Sequence, residues 1–502
     1  MPTTFDANYS SSNYNPNGFM KIDNDGAFLR VANDNTGLKS FLNKEGIVIQ
    51  RDSSSSFLLK SSDYTVYFNY QDVSFPISTD LDNLVSTLTE WCTQPLADNM
   101  NVIDSMNRMR TSTSINVLTV SNTHDKAPFV IDEVTSGNGE TSTFAPNAIT
   151  MRMSASNGSY IVRQSKLYAQ HVYGTNTSAL VGGIITTDVT ASNVRSRIGV
   201  FDDTVNITNP GSQSGGNGVF FQWDNSNGIA VGYRTSIGGS QVDVIVPQRD
   251  WNLDKLINSV HRDFTYHPTS NLTYVFDYNS TDQTSPVRCG VINHGAVTYA
   301  HQFMGSNIPG LFANPSLPTR WEVKHASDLG PTPSELTIVQ GPAYVFTDVD
   351  SKKPFRVFSA DNGTTFKTLN TVGSVPLFSI RLAPAFSRSK MHPKRLTIVN
   401  TFAGGVAKWT LVYNGTLTGQ TWTTVDPASW VQYSNTETLA INGTQLSTGY
   451  IVSTGVTEID ISDKIDAISS NIAGITDTLT VVLTYVLGSV SVTGGLEWVE
   501  TD

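Results

Sequence analysis

The feature that most constrains this chain is a succession of short β-branched and aromatic runs between Ala148 and Phe303. "AITMRMSA", "SYIVRQSKLYAQHVY", "LVGGIITTDV", "SRIGVFDD", "GVFFQWD", "GIAVGYRTS", "QVDVIVPQ", "LTYVFDY", "VRCGVIN" and "VTYAHQF" follow one another, each closed by Gly, Asn, Ser or Asp. Runs of this length and spacing are the signature of a large antiparallel sandwich. "SDLGPTP", Ser327 to Pro333, reads as a linker into a second series: "ELTIVQG", "PFRVFSA", "TTFKTLN", "LFSIRLAP", "RLTIVN", "KWTLVYNG", "TWTTV", "TLTVVLTYVL" and "LEWVE". Ahead of both stand "AFLRVAN", "GIVIQR", "SFLLKS" and "YTVYFNY". Leu81, Leu84, Val85, Leu88 and Trp91 then follow at helical spacing, with Ser78 or Thr79 as N-cap. The expectation is an all-β protein: tandem β-sandwiches, jelly-roll or concanavalin-like, over residues 105–330 and 331–502, behind a small N-terminal β-plus-helix module, 1–104. No repeat of fixed period is present, which argues against a propeller or solenoid.

Composition supports the strand reading. Charged residues are 15% of the chain, so Ser, Thr, Asn, Gln and Gly must cover most of the surface. Such a surface suits strands and turns and suits helices poorly. The net charge is −11, and no Lys/Arg block interleaved with aromatics is visible, so a nucleic-acid footprint is not supported. The richest basic stretch, Arg388 to Arg395 in "RSKMHPKR", is short and broken by Pro, and reads as a solvated loop. Cys92 and Cys289 lie in different predicted modules, a pattern of reduced thiols rather than of a disulfide framework. "LTVVLTYVL", Leu479 to Leu487, is about half the length needed to span a bilayer and reads as a buried strand. No membrane span is expected.

The candidate chemical motifs have plain structural readings. "SADNGTTF", Ser359 to Phe366, has the form of the Asp-box turn of sialidases, but it occurs once, and Asn362-Gly363 predicts a hairpin corner between two strands. Asp361 is expected to accept backbone N–H bonds within that turn. "DNDG", Asp23 to Gly26, opens like a calcium loop, yet the later oxygen ligands do not follow in register. His294 and His301 flank "GAVTYA" without a third ligand at telling spacing. Asp202 and Asp203 form the nearest thing to a carboxylate pair, but adjacent strand residues point to opposite faces. No Gly-rich phosphate loop, nucleophile elbow or H-E-x-x-H is present. Trp223, Tyr233, Trp251, Trp409, Trp422 and Trp430 are either core or sugar-stacking platforms. No cofactor, metal or catalytic residue is assigned.

From "SMNRMRTS", Ser105 to Ser112, a series of ordered motifs extends along the chain: "YIVRQSKLY", "SNVRSRIGVFDD", "GNGVFFQWD", "VGYRTSIGGSQVDVIVPQRDWNLDKL" and "LPTRWEV", then "LFSIRLAPAFSR", "LVYNGTLTGQTWTTVD" and "LEWVE". This series resembles a family of structural proteins of tailed phages and large aquatic DNA viruses, over about Met106 to Asp502. Two stretches depart from the family pattern: "INSVHRDFTYHPTSNLTYVF" replaces a Gly/Pro-rich loop, and "DTVNITNPGSQSG" is lengthened. The resemblance implies a non-enzymatic virion component, a tail-fibre, baseplate or capsid-decorating subunit assembled in the host cytoplasm. Its expected partners are other virion proteins and copies of itself, with three-fold symmetry a guess from the role. In that role Arg163, Arg195 and Arg197 are expected to pair with Asp202, Asp243 or Glu322 and fix strand order. Asp254 and Lys255 are expected to cap or pin the "WNLDKL" turn, Trp251 is a further structural candidate, and Arg320 and Glu322 fall in the kept "LPTRWEV". The alternatives are a glycan-binding host-attachment module and, third, a glycoside hydrolase.

Overall fold

The computed structural model describes residues 115–501, apart from 172–174, 204–215, 238–240, 258–264, 280–285, 294, 305–311, 313, 348–355 and 453, together with seven strands nearer the N-terminus. The chain divides into two compact units, Met1–Met100 and Asn101–Asp502. The first unit contains a seven-stranded antiparallel meander from Phe19–Asp23 to Val73–Ser78, each strand paired with the next. Asp23 and Gly26, the first and last residues of "DNDG", pair across two antiparallel strands. The helix expected over Leu81 to Trp91 lies outside the described residues.

The second unit holds two β-sandwiches, and the fold is all-β. In the first sandwich an eight-stranded sheet packs on a seven-stranded one. The seven strands lie in the order Val242–Pro247, Gly228–Thr235, Gly218–Asp224, Val194–Phe201, Thr319–His325, Tyr160–Ser165 and Ile131–Ser136. Strand alternation sends Ile198, Val200, Val219, Phe221, Val231 and Trp321 inward, against Val181, Tyr274, Phe276 and Ile338 of the facing sheet. Phe221 sits at the centre, 4.9 Å from the Tyr274 ring and 5.8 Å from that of Phe276. The Trp321 indole donates to the Gly182 carbonyl at 2.9 Å, which gives the one polar atom of that side chain a partner across the core.

The second sandwich packs a six-stranded sheet on a five-stranded one around Trp498, Trp409, Leu479, Leu483 and Leu496. "LTVVLTYVL" lies within its central strand Thr478–Leu487. The boundary between the sandwiches falls later than the Gly/Pro-rich stretch implied. Strand Leu336–Thr347, beyond "SDLGPTP", pairs with Ala148–Met153 and Thr177–Ile184 of the first sandwich. The second sandwich begins with Arg356–Asp361.

The Asn362-Gly363 corner also differs from expectation. Strands Arg356–Asp361 and Lys367–Leu369 do not pair with each other; both pair with successive parts of Val490–Thr501. The turn therefore interrupts one edge line rather than reversing the chain. Gly363 alone has positive φ, at 54°, whereas a type I′ hairpin needs it at both central residues. Asp361 accepts the Gly363 N–H at 2.6 Å, the Asx turn expected of it.

The two sandwiches meet along the flank formed by Ile131–Ser136 and Tyr160–Ser165. Asp132 accepts the Ile472 N–H at 2.8 Å, and Lys166 lies 3.7 Å from Asp477 and 3.2 Å from the Tyr413 hydroxyl. Arg388 pairs with Asp202 at 2.6 Å and lies over the Tyr168 ring. The basic stretch Arg388 to Arg395 is thus no solvated loop: its first residue bridges the sandwiches, and Lys390–Asn400 is a strand.

Candidate functional site

The outward face of the seven-stranded sheet carries the densest chemistry among the described residues. Its floor is set by glycine. Gly199 and Gly232 stand in register on either side of Phe220, and Gly218 stands opposite Phe201. A Cβ on Gly232 would come within 2.6 Å of the Phe220 ring, and one on Gly199 within 2.7 Å of the Phe220 Cα. The absence of side chains there lets both phenyl rings lie along the sheet. "RIGVF", "GVFF" and "VGYR" encode this pairing of Gly with Phe across strands.

Arginines stack on that floor. The Arg197 guanidinium is 4.4 Å from the Phe220 ring centre, Arg320 is 5.3 Å and Arg234 5.6 Å from that of Phe201. All three are buried, with Gln164, Gln222, Asp224 and Glu322. Burial of so many charges is tolerable only if each is paired. Arg234 grips Asp243 with two bonds of 2.7 and 3.0 Å, donates to the Asp202 carbonyl at 2.8 Å, and lies 3.4 Å from Asp203. Arg197 reaches Asp243 at 2.9 Å and donates to Gln222, which donates to Asp224. Arg320 donates to Glu322 at 2.6 Å and to Gln164 at 2.9 Å, and lies 3.5 Å from Asp203. Arg195 links Asp224 and Asp328.

The electrostatics follow from these contacts. Burial works to raise the Asp243 carboxyl, but the Arg234 and Arg197 guanidiniums outweigh it and hold it below its ordinary range. Burial likewise opposes ionisation of Glu322, and Lys324, Arg320 and Arg197 together hold it well below. Burial wins at Asp202, whose carboxyl is pushed up despite Arg388. Of the carboxylates that Arg234 touches, Asp203 keeps a third of its side chain exposed and Asp243 about a quarter. Arg234 touches both, so one buried guanidinium orients two accessible acceptors.

Most residues singled out from the sequence converge here, and one of the expected pairs, Arg197 with Asp243, forms. Arg320 meets Glu322. Arg195 pairs with Asp224 and Asp328, and Asp202 with Arg388 of the second sandwich. Arg163 lies on the opposite, inward face, bound to Glu133 and Gln340. Trp251 is core, its indole donating to the Val246 carbonyl. Asp254 accepts the N–H of Leu256, whose φ of +52° is unusual for a branched side chain, and the Lys255 carbonyl accepts from Gln248. Those contacts hold the "WNLDKL" turn.

Arg234, Asp203, Gln222 and Phe220 were not singled out for this face. The signal available was parity: Phe220, Gln222 and Asp224 alternate on one side of "GVFFQWD". Of the candidate stacking aromatics, Trp223, Tyr233, Trp251, Trp409 and Trp430 are buried, and Trp422 is half-buried beneath Arg381. His301 is buried and accepts the Asn252 N–H; His294 lies outside the described residues. Among the described residues no three His, Cys, Asp or Glu side chains form a metal-sized group.

No family model matches the chain, and no curated protein matches it. Solved structures similar to it include an endo-β-1,4-glucuronan lyase from the fungus Trichoderma reesei, at 10% identity and TM-score 0.31, covering 46% of this chain and 95% of that one. Peanut lectin is similar at 10% identity and TM-score 0.29, covering 47% and 98%. A legume lectin-like domain from Entamoeba histolytica is similar at 10% identity and TM-score 0.26, covering 46% and 98%. The expectation of a virion structural subunit docking to other virion proteins and to copies of itself is corrected by these findings, which are lectins and a glycan-acting enzyme. The outward face of the seven-stranded sheet is also polar and charge-paired, not the flat apolar surface that assembly alone would favour.

Proposed function

We propose that the first sandwich is a carbohydrate-recognition module and that the outward face of its seven-stranded sheet presents the ligand-binding groups. The observation that carries this reading is the pair of accessible carboxylates, Asp203 and Asp243, held by the same buried Arg234. A carboxylate fixed on one edge by a guanidinium keeps its other lone pairs aimed outward, and two such acceptors on one guanidinium suit neighbouring hydroxyls of a sugar ring. The cations Arg195, Arg197, Arg234, Arg320, Lys324 and Arg388 stand against Asp202, Asp203, Asp224, Asp243, Glu322 and Asp328. Such a balanced set favours a neutral polyhydroxyl ligand over a polyanion.

The reading is of binding without hydrolysis. Glycoside cleavage needs a carboxyl kept protonated beside the scissile bond and a second that is ionised. Asp243 and Glu322 are held ionised by arginine, and Asp202, the carboxyl pushed up, is buried under Arg388. The test is a glycan array on the full chain, followed by calorimetry on any hit with Asp203→Asn and Asp243→Asn. Binding that falls at least tenfold in both variants while the far-UV spectrum is kept supports the site. An array without hits, or a hit indifferent to both substitutions, overturns it.

A further inference from the structure

Strand Ser374–Leu382 turns Ile380 and Leu382 into the core of the second sandwich, so Arg381 between them stands on the outward face of the six-stranded sheet. Its guanidinium carbon lies 4.3 Å from the centre of the Trp422 ring, and its Nε donates to the Gln432 side-chain oxygen at 3.0 Å. Gln432 is its register partner on Val431–Ser434. The Thr421 N–H donates to the Ser434 hydroxyl of that strand at 3.1 Å, which seats the neighbouring Trp422 against this face. The two terminal nitrogens of Arg381 have no partner among the described residues and stay open to solvent. Buried arginines elsewhere are matched: Arg234 by Asp243, Arg320 by Glu322 and Arg388 by Asp202. Arg381 is half-buried and unmatched. Burial alone pushes its ionisation down, and no carboxylate opposes it. A charge partly withdrawn from water and fixed on two sides, with its donor fork left free, suits an anion.

We propose that Arg381, held between Trp422 and Gln432, is the recognition point for a carboxylate-bearing saccharide, a uronic acid unit. The site is built from the second sandwich alone and does not depend on the reading of the first. Its geometry selects the ligand. The terminal nitrogens present two parallel donors, which match the two oxygens of a carboxylate. No second cation acts on Arg381 among the described residues, so the charge there matches a monoanion better than a phosphate dianion. Thr424, paired with Gln432, and Thr478, paired with Arg381, continue the same row across the sheet. The fork is thus flanked by hydroxyls and by an indole, groups that suit the hydroxyls and the C–H face of a sugar ring. A peptide's terminal carboxylate is ordinarily gathered by backbone N–H groups, and here the flanking groups are side chains. Trp422, the candidate stacking aromatic that the core does not absorb, then has a role: it sets the guanidinium and borders the sugar.

The experiment is calorimetry on the full chain with tetragalacturonate and tetraglucuronate, and with the methyl ester of each, which keeps the rings and removes the charge. At least one acid should bind, and its ester should not. Arg381→Gln should weaken binding about tenfold or more, the loss expected of a charge-assisted pair. Arg381→Lys keeps the charge without the fork and should recover only part of that loss. Arg152→Gln removes the same charge from an exposed pair on the first sandwich and should leave binding unchanged. The far-UV spectrum of each variant should match the wild type. Failure of both acids to bind, equal binding of acid and ester, or an Arg381→Gln variant that binds like the wild type overturns the site. So does an equal loss in Arg152→Gln, which would mark a general effect of net charge. A short peptide with a free C-terminus that binds as tightly as the acids, and loses binding in Arg381→Gln, overturns the saccharide assignment.

Discussion

Replacing Arg234 by Met tests whether the buried charges hold the outward face together. The substitution keeps an unbranched apolar stem against Phe201 and Phe220 and removes only the guanidinium. Asp243 then loses two charge-assisted bonds, the Asp202 carbonyl loses its donor, and Asp203 loses one of its two arginines. Removing one partner of a buried pair costs about 3–5 kcal/mol, because the remaining charge stays desolvated. A carbonyl left without its donor adds roughly 1 kcal/mol or more. Asp243 keeps Arg197 at 2.9 Å, which offsets part of the loss. A net destabilisation of about 3–5 kcal/mol is expected in urea unfolding followed by tryptophan fluorescence. Asp243→Asn alone should cost less, and the double variant should fall short of the sum by about 1–3 kcal/mol, since the groups share one interaction. An Arg234→Met loss below about 1 kcal/mol, or strict additivity with Asp243→Asn, would refute the reasoning.

Three further outcomes are expected. Gly232→Ala should cost about 1–3 kcal/mol in the same assay, because the new methyl meets the Phe220 ring and the Ile245 terminus within 2.7 Å. Cys289 is fully buried, and burial, then Asp277, pushes its thiol well up, so iodoacetamide should label it only in denaturant, as read by peptide mass spectrometry. Burial lowers His171 and His301 to about 4, below the unfolded value near 6.5. Their contribution to stability is therefore complete above pH 6.5 and is lost as pH falls toward 4, so His171→Gln with His301→Gln should flatten that stretch of the pH–stability curve.

Strands were legible from local alternation, and so was the all-β class. "LTVVLTYVL" and "RIGVFDD" could take no other form, since their β-branched and aromatic residues fit a pleated surface and their length fits a strand. What local pattern does not carry is the partner. "PFRVFSADNGTTFKTLN" has two strands and a turn, which locally imply a hairpin, yet both strands are claimed by Val490–Thr501, more than a hundred residues onward. Leu336–Thr347 joins the first sandwich rather than the second for the same reason: "SDLGPTP" marks a turn, and a turn does not say which sheet receives the next strand.

The candidate site shows the same limit from another side. Arg163 and Arg197 are both arginines in strands of one sheet, yet Arg163 points into the core and Arg197 onto the outward face. Parity separates the two sides of each strand but cannot rank them, because buried residues of opposite character occupy both. The decisive sequence feature was the glycine placed opposite each phenylalanine. Gly199 and Gly232 have no local turn to explain them within "RIGVF" and "AVGYR". A glycine inside a strand marks close approach by a neighbour, and here the neighbours are the Phe201 and Phe220 rings on which the arginines lie. Had strand pairing been known, those glycines would have pointed to this face before any side chain was placed.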